Sequence, residues 1–204
     1  MIGIVDYGVG NIKAFSNIFK QLRISHKVIK IKQDFKGVEK IILPGVGSFD
    51  QAMQRLNGSD LLVDLNDLVL NKKVPVLGIC VGMQMMAKSS EEGVLNGLGW
   101  IDANVKKLNE SELGSQSPLP HMGWNSVEHD SSNRLFKNIN AKARFYFLHS
   151  YFFNTERIEN SIAMTNYGQR FTCCTNRENI FGVQFHPEKS HHNGVQLLKN
   201  FSSL

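Results

Sequence analysis

The sequence predicts an α/β fold: a largely parallel central sheet flanked by helices, with additional antiparallel strands, in one domain over residues 1–204. Three observations predict it. Through the first 90 residues, short apolar runs alternate with helix-period segments, the rhythm of successive βα units. Those runs are apolar at consecutive positions, as in strands covered on both faces. Beyond Gly99 the rhythm gives way to short apolar or alternating segments between polar turns, the pattern of antiparallel strands. The length, 204 residues, suffices for one substantial core.

Taken in order, IGIV at residues 2–5 is a strand ending in the turn DYGVGN. Ile12, Phe15, Ile18, Phe19 and Leu22 recur at helical spacing and form one buried stripe. Residues 26–32 read as a second strand, and the alternation in KVIKIK marks it as an edge strand with one solvated face. A third strand over residues 40–43 stops at PGVG. Helices are expected over 49–56 and 61–70, then a strand over 75–80, with Met83, Met86 and Ala87 facing inward from the next helix as core filling. WIDANVKKL reads as a strand and ESELGSQSPLP as an exposed loop. WNSVEH, ARFYFLHSYFF, SIAMTNY, RFTCCTN and NIFGVQFH are the antiparallel additions. A last helix begins near Gly194 and buries Val195, Leu197, Leu198 and Phe201.

Composition narrows the function. Apolar content of 42% and charged content of 20% are ordinary for a folded protein, and no apolar run is long enough to span a membrane. MIGIVDYG lacks the basic and long apolar regions of a secretory signal, so a cytoplasmic location is expected. The net charge of +5 is dispersed and no nucleic-acid motif reinforces it, so nucleic acid is not an expected partner. Cys80, Cys173 and Cys174 are odd in number and form no CxxC pair, which suggests neither a disulfide framework nor a metal site.

The chemistry concentrates in three segments. In GICVGMQ, Gly78 and Gly82 flank Cys80 where strand turns to helix, an arrangement that lets a tight elbow project its nucleophile above the sheet. The helix beginning beyond Cys80 favours a thiolate. Taken alone the segment also fits a buried structural cysteine. In FHPE, His186 ends an apolar strand and Glu188 lies two residues on, which offers a base and its orienting acceptor. His191 and His192 fall in a polar turn, and His26 and His129 read as surface or edge residues. In PGVGSF, the glycines expose backbone amides able to stabilise an oxyanion, although a simple tight turn has the same composition.

Together, GICVGMQ, the upstream PGVG loop and GVQFHPEKS resemble the class I glutamine amidotransferases. More narrowly, DYGVGN, PHMGWN and HPEKS resemble the glutaminase subunits of imidazole glycerol phosphate synthases, over essentially the whole chain. The resemblance implies that Cys80 attacks the side-chain amide of glutamine, that His186 transfers protons and that Glu188 supports His186. It implies an oxyanion site at Val46, Gly47 and Val81 that becomes competent when a backbone peptide rotates, and glutamine binding by Gly47, Gln84, Ser150 and Tyr151. Ammonia would pass to a separate (β/α)8-barrel cyclase subunit, which forms imidazole glycerol phosphate and an aminoimidazole carboxamide nucleotide. Asn11, His121, Trp124, Asn125 and Lys189 are the implied contacts with that partner. Neither metal nor organic cofactor is implied. Relatives of the same subunit supply ammonia to a sugar-modifying synthetase in surface-polysaccharide pathways, and the catalytic motifs are common to both roles. Retention of Cys80, His186 and Glu188 argues against a noncatalytic scaffold, and PHMGWN with HPE argues against a cysteine protease or stress-response protein of related fold.

Overall fold

A computed structural model of the chain describes residues 1–113 and 118–204; residues 114–117, within the expected loop ESELGSQSPLP, lie outside the described residues. Strands β1 (Ile2–Val5), β2 (His26–Ile29), β3 (Lys40–Gly45) and β4 (Val76–Cys80) alternate with α1 (Ile12–Gln21), α2 (Phe49–Asn57), α3 (Leu62–Asn66) and the one-turn α4 (Val81–Gln84). Then come β5 (Ser89–Ser90), β6 (Ala103–Lys107), β7 (His121–Ser126), β8 (Glu128–His129), β9 (Arg144–His149), β10 (Tyr151–Thr155), β11 (Ser161–Tyr167), β12 (Gln169–Arg177), β13 (Ile180–Val183) and α5 (His191–Ser202).

The main sheet runs β2-β1-β3-β4-β13-β12-β10-β6-β5, with β11 on β12 and β8 on β11. Its first five strands are parallel, and β12, β10 and β6 continue it antiparallel. As expected, β2 is an edge strand. The parallel strands are apolar throughout because both faces are covered: Ile4, Val5, Ile41, Ile42, Leu43, Val76 and Leu77 are fully buried. Each such side chain contributes roughly 1.5–3 kcal/mol of transfer free energy. Phe15 and Phe19 of α1 and Leu197, Leu198 and Phe201 of α5 close over the sheet.

Several elements depart from the sequence pattern. The helix after Cys80 lasts one turn, because residues 88–91 are drawn out into the sheet: Lys88 N–H donates to Ala103 O and Glu91 N–H to Val105 O. Past α3 the chain widens into a π turn over Asp67–Asn71, in which the Lys72 N–H reaches the Asp67 carbonyl. The last helix begins at His191, three residues before Gly194, so His191 and His192 are helical. Strands β7 and β9 form a separate antiparallel ribbon with Met122 opposite Leu148 and Trp124 opposite Tyr146.

Register sets the site. Gly45 of β3 lies beside Cys80 of β4, and Val183 of β13 lies beside Ile79. The carboxyl ends of three neighbouring parallel strands therefore converge, the usual place for a binding crevice in such sheets. The chain leaving β3 supplies Val46 and Gly47, β4 supplies Cys80, and the chain leaving β13 supplies Gln184 and His186.

Candidate active site

Cys80 turns the strand into helix at φ 55° and ψ −112°, a conformation L-residues rarely adopt and which costs on the order of 1–3 kcal/mol. Close backbone packing holds it there. A Cβ on Gly82 would lie 2.0 Å from the Leu43 carbonyl oxygen, and one on Gly45 would lie 2.3 Å from the Gly82 nitrogen. A Cβ on Gly78 would meet the Met86 methyl at 2.6 Å. The flanking glycines are thus required by space, since β3 and the elbow touch backbone to backbone. The Cys80 sulfur lies 3.9 Å from the Leu148 carbonyl and accepts from Gln184 Nε2 at 3.8 Å.

His186 is positioned by its backbone: its N–H donates to Tyr146 O at 2.8 Å, and its carbonyl accepts from Ser190 Oγ at 2.6 Å. Ser190 Oγ also accepts from Tyr146 N–H at 3.0 Å, tying the HPEKS turn to β9. On the ring, Nδ1 meets Glu188 Oε1 at 2.9 Å, and Cys80 is near enough to favour the charged imidazole. Burial disfavours an imidazolium here, but the interactions with Cys80 and Glu188 outweigh it and raise the pKa to about 10. At neutral pH His186 therefore carries the proton that a leaving amine requires.

A cavity of about 630 Å³ opens beside this pair. Cys80, His186, Glu188, Val46, Gly47, Val81, Gln84, Ser150 and Tyr151 all line it, with Asn11 and Lys189 also on its wall. Gly47 sits at φ 87°, where glycine is favoured, directly after exposed Val46. Asn11 precedes α1, but its side chain makes no capping bond to the helix. The lining also includes Glu92, which sequence reasoning missed. Its carboxylate accepts from Phe49 N–H at 2.8 Å, and its pKa is raised, mainly by burial.

The remaining sequence-predicted residues lie apart from the cavity. Trp124 is partly exposed and stacks on His191, with ring centroids 5.0 Å apart. Asn125 is half-buried and donates to the Asn166 carbonyl at 2.8 Å. His121, also expected at a partner contact, is 2% exposed in this chain and sandwiched between Phe147 and Tyr167. Strand alternation turns Met122 and Trp124 outward and His121 inward, and that signal was present in HMGWNS. Gln184, too, was legible by period: it lies two residues before His186, where an extended backbone places both side chains on one face. Nothing in the sequence marked Glu92, whose place depends on the chain returning past α2.

A strained cysteine elbow, a histidine held by a carboxylate, and an adjoining cavity define a thiol-dependent acyl-transfer or amide-cleaving protein of α/β architecture. The glutamine amidotransferase class-I family matches residues 3–203, and the chain belongs to that family. It is similar to the imidazole glycerol phosphate synthase subunit HisH of Leptospira borgpetersenii, 55% identical over 100% of both chains. The subunit of the same name from Bdellovibrio bacteriovorus is 53% identical over 100% of both. Among solved structures, PurLQS from Thermotoga maritima superposes with a TM-score of 0.75 at 14% identity, covering 98% of this chain and 96% of that one. A crystal structure of a glutamine amidotransferase gives 0.74 at 15% identity, over 100% and 99%. Those two likenesses concern the fold.

Proposed function

We propose that this chain is the glutaminase subunit of an imidazole glycerol phosphate synthase, hydrolysing glutamine and feeding the ammonia into histidine biosynthesis. The observation that carries the reading is Cys80 beside the His186–Glu188 pair at the wall of a cavity able to enclose an amino acid. Similarity over the full length to HisH subunits supports the pathway.

In the proposed reaction the Cys80 sulfur attacks the glutamine side-chain carbonyl carbon. Charge moves onto the carbonyl oxygen, which the amides of Val81 and of the Val46–Gly47 segment receive. The tetrahedral adduct collapses as His186 protonates the departing nitrogen, ammonia leaves and a γ-glutamyl thioester remains. His186, now neutral, takes a proton from water, which attacks the thioester and releases glutamate and Cys80. Glu188 holds the imidazole in register throughout. Glu92 is the carboxylate available to the substrate's α-ammonium, with Gln84, Ser150 and Tyr151 as polar walls.

The acceptor is a separate (β/α)8-barrel cyclase subunit seated over the cavity. What supports this placement is an apolar surface beside it: Met122, Trp124 and Leu148 are 62%, 37% and 37% exposed. Asn11, Asn125 and Lys189 supply the polar rim. The test is to purify the untagged native assembly, identify the stoichiometric partner by mass, and assay Cys80→Ala. A cyclase barrel is expected, with glutamine-dependent turnover abolished and ammonia-dependent turnover intact. A sugar-modifying synthetase in its place would reassign the acceptor while leaving the glutaminase chemistry.

A further inference from the structure

Two buried histidines outside the triad form a hydrogen-bonded chain that ends in the cavity wall. His121 Nδ1 lies 3.0 Å from His149 Nε2, and His149 Nδ1 lies 2.8 Å from the Tyr151 carbonyl. At the other end, Asn125 Nδ2 is 3.2 Å from His121 Nε2. Partners fix the polarity of every link. Asn125 Nδ2 donates to the Asn166 carbonyl and Asn125 Oδ1 accepts from Ser126 N–H at 2.8 Å, so the group facing His121 is an N–H. His121 Nε2 must then accept, which leaves its proton on Nδ1 to donate to His149 Nε2. His149 in turn holds its proton on Nδ1 and donates to Tyr151. The far end demands the same, because a carbonyl only accepts. Both rings are therefore neutral Nδ1–H tautomers, and a second proton on either would set N–H against N–H. Burial independently depresses both groups, His121 to about 4 and His149 to about 3.

The Tyr151 carbonyl also accepts from Gln84 Nε2 at 2.9 Å, and Gln84 Nε2 donates again to Gln184 Oε1 at 3.1 Å. Both N–H groups of the Gln84 carboxamide are thus engaged by the protein, and its oxygen is the atom left for a ligand. The orientation matters. A glutamine's amino and carboxamide groups can donate to that oxygen, whereas a rotated amide would present N–H to N–H.

We propose that His149, backed by His121 and Asn125, is a positioning residue for the glutamine pocket: it holds the Tyr151 carbonyl so that Gln84 presents its oxygen to the substrate. This rests on the glutaminase reading of the same cavity. His149→Leu removes the donor to Tyr151, whereas His149→Asn places an amide N–H where Nδ1–H stood.

The experiment has two arms on the full chain with its copurified partner. In glutamine hydrolysis, H149L is expected to raise KM by roughly tenfold with kcat within about threefold of wild type, and H149N is expected to restore most of the loss. An unchanged KM in H149L, or no rescue by H149N, overturns the proposal. In ¹⁵N-histidine NMR of the wild-type chain, both rings are expected as Nδ1–H tautomers that do not titrate between about pH 6 and 8. An Nε2–H tautomer or a titrating ring at either position overturns it even if the variants fail to fold. A wild-type assembly that forms the tautomers but hydrolyses no glutamine would sink the glutaminase reading instead.

Discussion

His186 gains its proton affinity only in the folded chain. Its ordinary pKa of 6.5 rises to about 10 through Cys80 and Glu188, against the opposing effect of burial. Because the folded value lies above the unfolded one, the pair's contribution to stability is fully present below about pH 6.5 and is lost as pH rises through about 10. The urea midpoint of the wild type, measured relative to His186→Gln, is therefore expected to fall across that window. Glu188→Gln removes one of the two supporting interactions and moves the upper edge of the window downward; an unmoved edge would show that Glu188 does not raise His186. At this scale the sequence revealed much. Cys80 and His186 stood out because cysteine and histidine are scarce and each lies in a short glycine- or proline-marked motif, and Glu188 by its place two residues after His186. Gln184 was marked only by its strand period with His186, and His149 did not stand out at all, because its role arises from His121, delivered by another strand.

At the scale of elements, the elbow depends on β3 lying against it with no side chain between. Gly82→Ala drives a Cβ into the Leu43 carbonyl, and neither backbone can yield without moving Cys80. A loss of at least about 2 kcal/mol in chemical denaturation is expected, at or beyond the usual cost of overpacking. Gly99→Ala provides the contrast: its Cβ enters open space at φ 64°, so only the backbone penalty of about 1–2 kcal/mol applies. Equal losses in the two variants would show that the elbow has slack. The strands that build this contact were legible from their unbroken apolar runs. The pairing of β7 with β9 was not, since alternation identifies a strand's faces and leaves its neighbour open. Nor was the brevity of α4, which is set by the edge of the sheet capturing residues 88–91.

For the whole molecule, the apolar face of the β7–β9 ribbon is the feature that invites a partner. Met122 is 62% exposed, so Met122→Asp is expected to leave the thermal midpoint of the isolated chain nearly unchanged. The same change is expected to weaken the complex by about tenfold or more in titration calorimetry. Unchanged affinity would place the partner elsewhere. The position of β13 has a consequence for how such a protein is made. Cys80 ends β4 and His186 follows the adjacent β13, yet β4 emerges early from the ribosome and β13 late. Until β13 docks, Cys80 lacks His186 as a neighbour and β4 has an open edge where β13 belongs. A chain that stops at β12 therefore carries Cys80 without His186 and Glu188, and the site is completed only when β13 is in place.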